Sequence, residues 1–232
     1  TSEVLLAPLV QLGHARGLVV IDDVGAGPLV DFSRFGFAPE PTLPESVRTG
    51  ADLITSSADK LIGGSQGGII LGRAPLIQAV RKNPLVRIVR PGKLTLAALE
   101  ATLTLFLDES LAPREVPTLR MLSRGPAELG EQAERIAQAV AQRVPGEPVS
   151  VVDGCSQMGS GSLPTQELPT RLVSVTAPSV SPQELARRLR QLNPPVFVRV
   201  HKGQVLLDPR TLLEGEEAVV VESLVTVLTA GE

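Results

Sequence analysis

The chain has 232 residues, of which 43% are hydrophobic and 20% charged, which is typical of one large or two small globular domains. Its net charge of −3 argues against a basic surface for nucleic acid, and its single cysteine excludes an intrachain disulfide or a cysteine-rich metal site. The sequence contains no apolar run of the ~20 residues that a membrane-spanning helix needs, and we expect a cytoplasmic protein without a membrane contact.

The first half of the chain alternates between predicted helices and strands. Residues 3–16 have apolar positions at helical spacing and end at Gly17. The continuous apolar run LVVID, residues 18–22, predicts a strand that is buried on both faces of a parallel sheet. A long loop rich in glycine and proline follows. The later patterns predict a short helix at 45–50, strands at 51–57 and 67–73, and helices at 74–83 and 94–110. This alternation predicts an α/β domain over residues 1–112.

The second half has a different pattern of helix and strand segments and predicts a small α+β domain over residues 113–232. Its helices are predicted at 126–144, which has a proline near its start, and at 181–193, with Ser181 as the N-cap. The runs VSVVDG, RLVSVTA, VFVRVHKG and QVLLDPR predict strands. Residues 216–230 favour a final helix because of their length, although their valines also fit a strand.

Lys60 stands out because it follows one strand-like apolar run and precedes another. Most lysines lie in solvent. An amine at the edge of a buried sheet loses hydration and becomes a nucleophile for a carbonyl group. A Schiff base with pyridoxal 5'-phosphate is the commonest use of such a lysine, and Lys60 is therefore a candidate for that role.

The surrounding residues match the other needs of that cofactor. Ser56 and Ser57 offer hydroxyl groups to a phosphate, and the glycines that follow allow the backbone to approach an anion closely. Asp22 and Asp23 end the predicted strand LVVID, where an open α/β sheet binds ligands, and either carboxylate could keep a pyridine nitrogen protonated. A loop cap or turn is the alternative interpretation of this aspartate pair.

Other motifs in the sequence match their families less completely. The SADK segment matches Ser-x-x-Lys of penicillin-binding enzymes, but the KTG and SDN motifs are absent. The GAG segment after a predicted strand suggests a dinucleotide fingerprint, but Val30 stands where the third glycine belongs. His14 and His201 are far apart in sequence and indicate no metal site.

Several segments, in order along the chain, resemble a known family. These are DDVGAGPLVDFSRFG, EPTLPESVRTGADLITSSADKLIGGSQGGIILG, NPLVRIVRPGKLTLAALEATL, VPTLRML, SQMGSGSLPTQELPT and PPVFVRVHKGQVLLDPRTL. Together they resemble bacterial selenocysteine synthase, the L-seryl-tRNA(Sec) selenium transferases, over the whole chain.

The resemblance implies a fold-type I pyridoxal-phosphate enzyme. Residues 1–112 would then be the C-terminal half of its large domain, with a mostly parallel sheet, and residues 113–232 its small domain. Such enzymes remove the hydroxyl group of serine on tRNA(Sec) and add selenium from selenophosphate by way of a dehydroalanyl-tRNA. The implied assembly is a homo-oligomer built from dimers.

The resemblance also implies residue roles. Lys60 would be the Schiff-base lysine, Asp23 would pair with the pyridine nitrogen, and Asp59 would orient groups during elimination. Arg87 and Arg90 would hold the anionic selenium donor, a role that suits planar guanidinium groups. The remaining residues assigned to cofactor binding are Asp22, Ser57, Gly64 and Gln66.

Departures from the family pattern keep other functions open. Ala58, Ser65 and Gly67 replace the usual glycine, proline and alanine. Family members are about twice as long, with an N-terminal tRNA-binding region, so we expect a fragment or a shortened member. The alternatives are a non-catalytic relative that serves as an assembly or binding module, and another pyridoxal-phosphate lyase or transferase.

Four residues of the second half are expected to be structural. Arg199 lies on the predicted strand VFVRV, and Asp208 and Arg210 are predicted to form a local salt bridge. Cys155 is expected to be a small buried residue.

Overall fold

The computed structural model describes residues 4–108, 110–146, 148–159 and 167–230, which form two compact units. The first unit runs to Arg120 and also includes Met158. The second comprises Met121 to Gln157 and the chain from Glu167 onward. Residues 3 and 109 of the predicted helices and residues 160–166 of the SQMGSGSLPTQELPT motif lie outside the described residues.

The first unit is built on a three-stranded mixed sheet in the order β1-β2-β3. Its strands are β1 (Ile21–Gly25), β2 (Leu53–Ser57) and β3 (Gly68–Gly72). β1 and β2 are parallel, whereas β2 and β3 are antiparallel. The prediction of a mostly parallel sheet is therefore wrong for the described strands. The reason is the short connection 58–67, since a parallel neighbour needs a crossover of a dozen or more residues.

Helices accompany this sheet at most of the predicted positions. They are α1 (Leu6–Ala15), a 3₁₀ turn (Phe32–Phe35), α2 (Leu43–Thr49), α3 (Ala74–Lys82), α4 (Val86–Val89), α5 (Lys93–Leu105) and α6 (Ala112–Glu115). α2 begins with a capping box in which Thr42 and Glu45 bond each other's backbone N–H, and it ends at Gly50 with φ of 93°. A further helix, α7 (Pro117–Ser123), carries the chain into the second unit.

The β1 region is more exposed than its apolar sequence predicts. Ile54 of β2 and Ile62 beyond it are buried, but Ile21 is 60% exposed and Leu18 59%. Among the described strands, β1 pairs only with β2, so it is an edge strand with an unpaired side. The prediction of burial on both faces is wrong here, because an apolar run shows what a strand can bury but not which neighbours this chain supplies.

The second unit packs helices against a four-stranded antiparallel sheet in the order β4-β5-β7-β6. The strands are β4 (Val149–Gln157), β5 (Glu167–Val175), β6 (Arg199–His201) and β7 (Gln204–Leu207). The helices are α8 (Pro126–Arg143), α9 (Pro182–Gln191) and α10 (Glu216–Thr229), with a 3₁₀ turn at Pro209–Thr211. α10 confirms the predicted final helix, and the Ser181 hydroxyl caps α9 by accepting the Glu184 N–H.

The core of this unit is aliphatic. Leu129, Ile136 and Val140 of α8 are buried at helical spacing, together with Val173 of β5 and Leu224 of α10. Within the described residues, no helix combines the length and the apolarity that crossing a bilayer requires.

Candidate functional site

Lys60 lies in the turn directly after β2, where it is half-buried. Its neighbours Ala58, Leu61 and Ile62 are each at most 1% exposed, so they anchor the turn on both sides of the lysine. No hydrogen bond or ion pair of the Lys60 amine occurs among the described residues. A fixed backbone with an uncommitted amine is what a nucleophilic lysine needs.

Backbone hydrogen bonds close the same loop. The Ala58 N–H donates to the Gly67 carbonyl at 2.8 Å, and the Gly64 N–H donates to the Ala58 carbonyl at 2.9 Å. The Gly63 N–H donates to the carbonyl of Lys60 itself at 3.1 Å. The loop that carries the amine is therefore braced at three points.

Two glycines of this loop are required by close packing. A Cβ on Gly64 would lie 2.9 Å from Leu99 Cδ1 and 3.1 Å from the Ala58 carbonyl. Gly63 has φ of 73°, and a Cβ there would lie 2.9 Å from Val116 Cγ1. These glycines thus allow the loop to pack tightly within its own unit, and the cofactor contact predicted for Gly64 stays a prediction.

Asp23 and Thr55 are direct partners in the parallel register of β1 and β2. The Thr55 Oγ1 hydroxyl donates to Asp23 Oδ1 at 2.6 Å. Because side chains alternate along a strand, Ser57 lies on the same face of β2 as Thr55, one step nearer to Lys60. The structure therefore brings a carboxylate and two hydroxyl groups to one face of the sheet, just before the lysine turn.

Asp22 lies on the opposite face. Its register partner is Ile54, which is 1% exposed and belongs to the buried cluster of the unit. The two aspartates, which the residue pattern alone did not distinguish, are thus separated by the sheet, and only Asp23, the one favoured by the family resemblance, shares a face with Ser57. Cofactor binding by Asp22 stays a prediction without a supporting contact.

The two serines also differ. Ser56 is 6% exposed, and its hydroxyl donates to the Ser57 carbonyl at 3.2 Å. A Cβ on Gly27 would lie only 1.7 Å from Ser56 Oγ, so Ser56 packs against that glycine. Ser57 is half-buried, and its hydroxyl has no hydrogen bond among the described residues, which leaves it available to a ligand.

Asp59 and Gln66 are exposed on the lysine loop, and their side chains have no hydrogen bonds among the described residues. Arg87 on α4 and Arg90 at its C-terminal cap are exposed as well. Within the described residues, no ion pair holds either arginine, and no hydrogen bond joins them to the Lys60 loop. Their anion-binding role stays a prediction.

Asp52 is a polar anchor that the sequence did not reveal. It is 1% exposed and accepts hydrogen bonds from the Val20 N–H at 2.8 Å and from Arg73 at 2.9 Å, while His14 Nε2 lies 3.0 Å away. The Val20 N–H, then Arg73 and His14, hold the pKa of this carboxyl well below its usual range. Asp52 therefore ties α1 and the segments before β1 and α3 to the start of β2.

The second unit contains a separate polar network around Arg210, which is 3% exposed. Its guanidinium donates to the carbonyls of Met121, Arg124 and Pro169 and to the Ser156 hydroxyl, at 2.7 to 3.0 Å. These contacts satisfy a buried cation without a carboxylate.

The predicted salt bridge between Asp208 and Arg210 is not among the described ion pairs. Asp208 pairs instead with Arg199 at 3.7 Å, and it accepts the backbone N–H of Arg210. The short sequence spacing suggested a direct pair, but the Arg210 guanidinium already donates hydrogen bonds to carbonyl oxygens. Arg199 also donates to the Cys155 carbonyl at 3.0 Å, and burial raises the pKa of the half-buried Cys155 thiol. These contacts support structural roles for this group.

Comparison with known proteins identifies the family. Residues 1–213 match the family described as L-seryl-tRNA selenium transferase. The chain belongs to this family. A selenium transferase of Geobacter sulfurreducens is 46% identical over 225 residues, which are 97% of this chain and 49% of the relative. One of Geotalea daltonii is 47% identical over 227 residues, with the same coverage.

This member of the selenium transferase family spans about half the length of the curated relatives it matches. Its fold is similar to the solved structure of D-glucosaminate-6-phosphate ammonia-lyase, with a TM-score of 0.59 and 21% identity. That likeness covers 100% of this chain and 55% of the other, and it shows the fold alone. Family membership supports pyridoxal 5'-phosphate as the cofactor, as the sequence predicted.

Proposed function

We propose that this chain supplies the cofactor-binding lysine and the selenium-donor site of an L-seryl-tRNA(Sec) selenium transferase of fold-type I. The observation that carries the proposal is the uncommitted amine of Lys60, held in a braced turn beside the face that presents Asp23 and Ser57. Family membership supports pyridoxal 5'-phosphate as the ligand of this arrangement.

The residues present fit pyridoxal 5'-phosphate by their chemistry. The Lys60 amine would bind the aldehyde carbon, the Asp23 carboxylate would hold the proton of the ring nitrogen, and the Ser57 hydroxyl would donate to the phosphate. When bound, the cofactor supplies an electron sink that allows the serine hydroxyl group to leave. Asp59, exposed next to Lys60, would orient the reacting groups.

The donor site is proposed on α4 and its C-terminal cap. Arg87 and Arg90 are exposed cations in a unit where another arginine, Arg73, is already committed to Asp52. Two guanidinium groups suit the phosphate-like group of selenophosphate. Seryl-tRNA(Sec) as substrate, a homo-oligomer built from dimers and a cytoplasmic location belong to the same proposal.

The test is selenium transfer from selenophosphate to seryl-tRNA(Sec), measured with the complete natural polypeptide that contains these residues. We expect Lys60→Ala to lower the rate by about a thousandfold or more, because the group that binds the cofactor is lost. Lys82→Ala, at the exposed end of α3, is the matched control and should stay within about twofold of wild type.

Three results would contradict the proposal. Selenium transfer that persists in the Lys60→Ala variant would show that Lys60 takes no part in the reaction. Wild-type protein that eliminates water or ammonia from free amino acids, but does not use selenophosphate, would indicate another lyase. Wild-type protein without either activity would favour the non-catalytic alternative.

A further inference from the structure

We infer that Thr55 is a positioning residue, which fixes the Asp23 carboxylate in the orientation that receives the ring nitrogen of the cofactor. This inference rests on the proposed function. It adds a residue that neither the motif around Lys60 nor the predicted aspartate pair had indicated.

The first step is the contact itself. The Thr55 hydroxyl donates to Asp23 Oδ1 at 2.6 Å, a short distance that is typical of a hydrogen bond to an ionised carboxylate. Asp23 is exposed, and no other side-chain partner of its carboxylate occurs among the described residues. Thr55 therefore determines which oxygen of Asp23 stays free for a ligand.

The second step is the rigidity of Thr55. It lies in the middle strand of the sheet, beside Asp23 of β1 and Ile70 of β3. A β-branched side chain in a strand has few χ1 rotamers, so the paired backbone also fixes the hydroxyl group. An exposed carboxylate without such a donor would lose rotamer freedom on binding the cofactor, and that loss would weaken binding.

The third step is position. Thr55 lies between Asp23, its neighbour across the strands, and Ser57, two residues further along the same face. The proposed ring and phosphate contacts therefore flank the threonine. A hydroxyl group that donates to Asp23 keeps the carboxylate an acceptor, as a protonated ring nitrogen requires.

The experiment measures the dissociation constants of two cofactors by fluorescence titration of the complete natural polypeptide. One is pyridoxal 5'-phosphate, and the other is its analogue in which a C–H group replaces the ring nitrogen. We expect Thr55→Val to raise the dissociation constant of the natural cofactor by about ten- to a hundredfold, because a hydrogen bond to a charged group is lost. The dissociation constant of the analogue, which cannot donate to Asp23, should change by less than about threefold.

Two variants serve as controls. Thr55→Ser keeps the donor and should restore natural-cofactor binding to within about threefold of wild type. Thr104→Val, in α5, removes a hydroxyl group that donates only to its own helix and should have no effect. If Thr55→Val does not fold, Thr55→Ala takes its place, because the smaller side chain fits wherever threonine does.

Equal weakening of both cofactors would overturn the inference, since Thr55 would then only support the fold. Unchanged binding of both would overturn it as well. Failure of the proposed function is a distinct result, in which borohydride fixes no pyridoxal phosphate on Lys60 of the wild-type protein.

Discussion

At the scale of the residue, the proposed cationic site residues lack, within the residues that the structure describes, the partners that a buried charge of the first unit has. Elsewhere in the first unit, a buried charge such as Asp52 is surrounded by donors. Lys60, Arg87 and Arg90 have no such partners among the described residues. Exposed cations that have no partner in the described part of the chain are available to an anion or a carbonyl group.

We expect Arg87→Ala to lower selenium transfer by a factor on the order of tens to thousands, from ~2–4 kcal/mol of lost charge-assisted contact. In the proposed reaction, removal of the seryl hydroxyl group precedes selenium addition, so Arg87→Ala should slow this first step less than the second. Arg87→Lys should recover little, because the ammonium group lacks the planar fork. The measurement is the transfer rate against selenophosphate concentration.

Arg81→Ala is the matched control, because Arg81 is an exposed arginine in the last turn of α3. If the saturation curves are the same for wild type, Arg87→Ala and Arg90→Ala, the two arginines do not form an anion site. The two arginines would then be solvated charges at a helix end, worth only ~0–1 kcal/mol in stability.

The sequence could predict residue types here but not their grouping. The pattern around Lys60 predicted a lysine, a carboxylate and hydroxyl groups, yet the pattern alone left Asp22 and Asp23 as equals, and only the family resemblance favoured Asp23. The register of β1 on β2 separates them, since a shift of one residue exchanges the faces of a strand. Thr55 went unnoticed for the same reason.

At the scale of the element, apolar spacing and helix caps were reliable guides. They predicted α2, α8 and α9, because these signals lie within a few residues of one another, whereas α10 was predicted from the length of its segment. The direction of β3 and the exposure of β1 depend on neighbours, which spacing does not encode. Asp52 was missed because its partners Val20 and His14 are 32 and 38 residues away.

We expect Asp52→Asn to lower the thermal midpoint of unfolding at pH 7, because the amide cannot accept from Val20 and Arg73 as a carboxylate does. The pKa of Asp52 is depressed in the folded chain, so its stabilising effect is present above the unfolded value near 4. That effect decreases as the pH falls below this value, so the gap between variant and wild type should narrow.

The measurement is the midpoint of both proteins from pH 7 down to about pH 2. Asp153→Asn is the control, because Asp153 is 89% exposed and pairs with Arg171 at the surface. A gap that stays constant over the whole range would show that Asp52 acts by packing and not by charge.

At the scale of the whole molecule, the chain contains the proposed site residues but spans about half the length of the curated relatives it matches. Large apolar side chains are left in solvent in the first unit, such as Ile88 at 78% and Leu94 at 85% exposure. Apolar side chains as exposed as these would gain free energy by packing against further protein. Assays of function therefore belong with the complete natural polypeptide that contains these residues.

The most direct test of the account is to find where pyridoxal phosphate attaches. The polypeptide is mixed with the cofactor, reduced with borohydride and digested, and the labelled peptide is identified by mass spectrometry. We predict that the label lies on Lys60, and that Lys60→Ala abolishes it while Lys82→Ala does not. A label on another lysine, or one that persists in Lys60→Ala, would contradict the central claim.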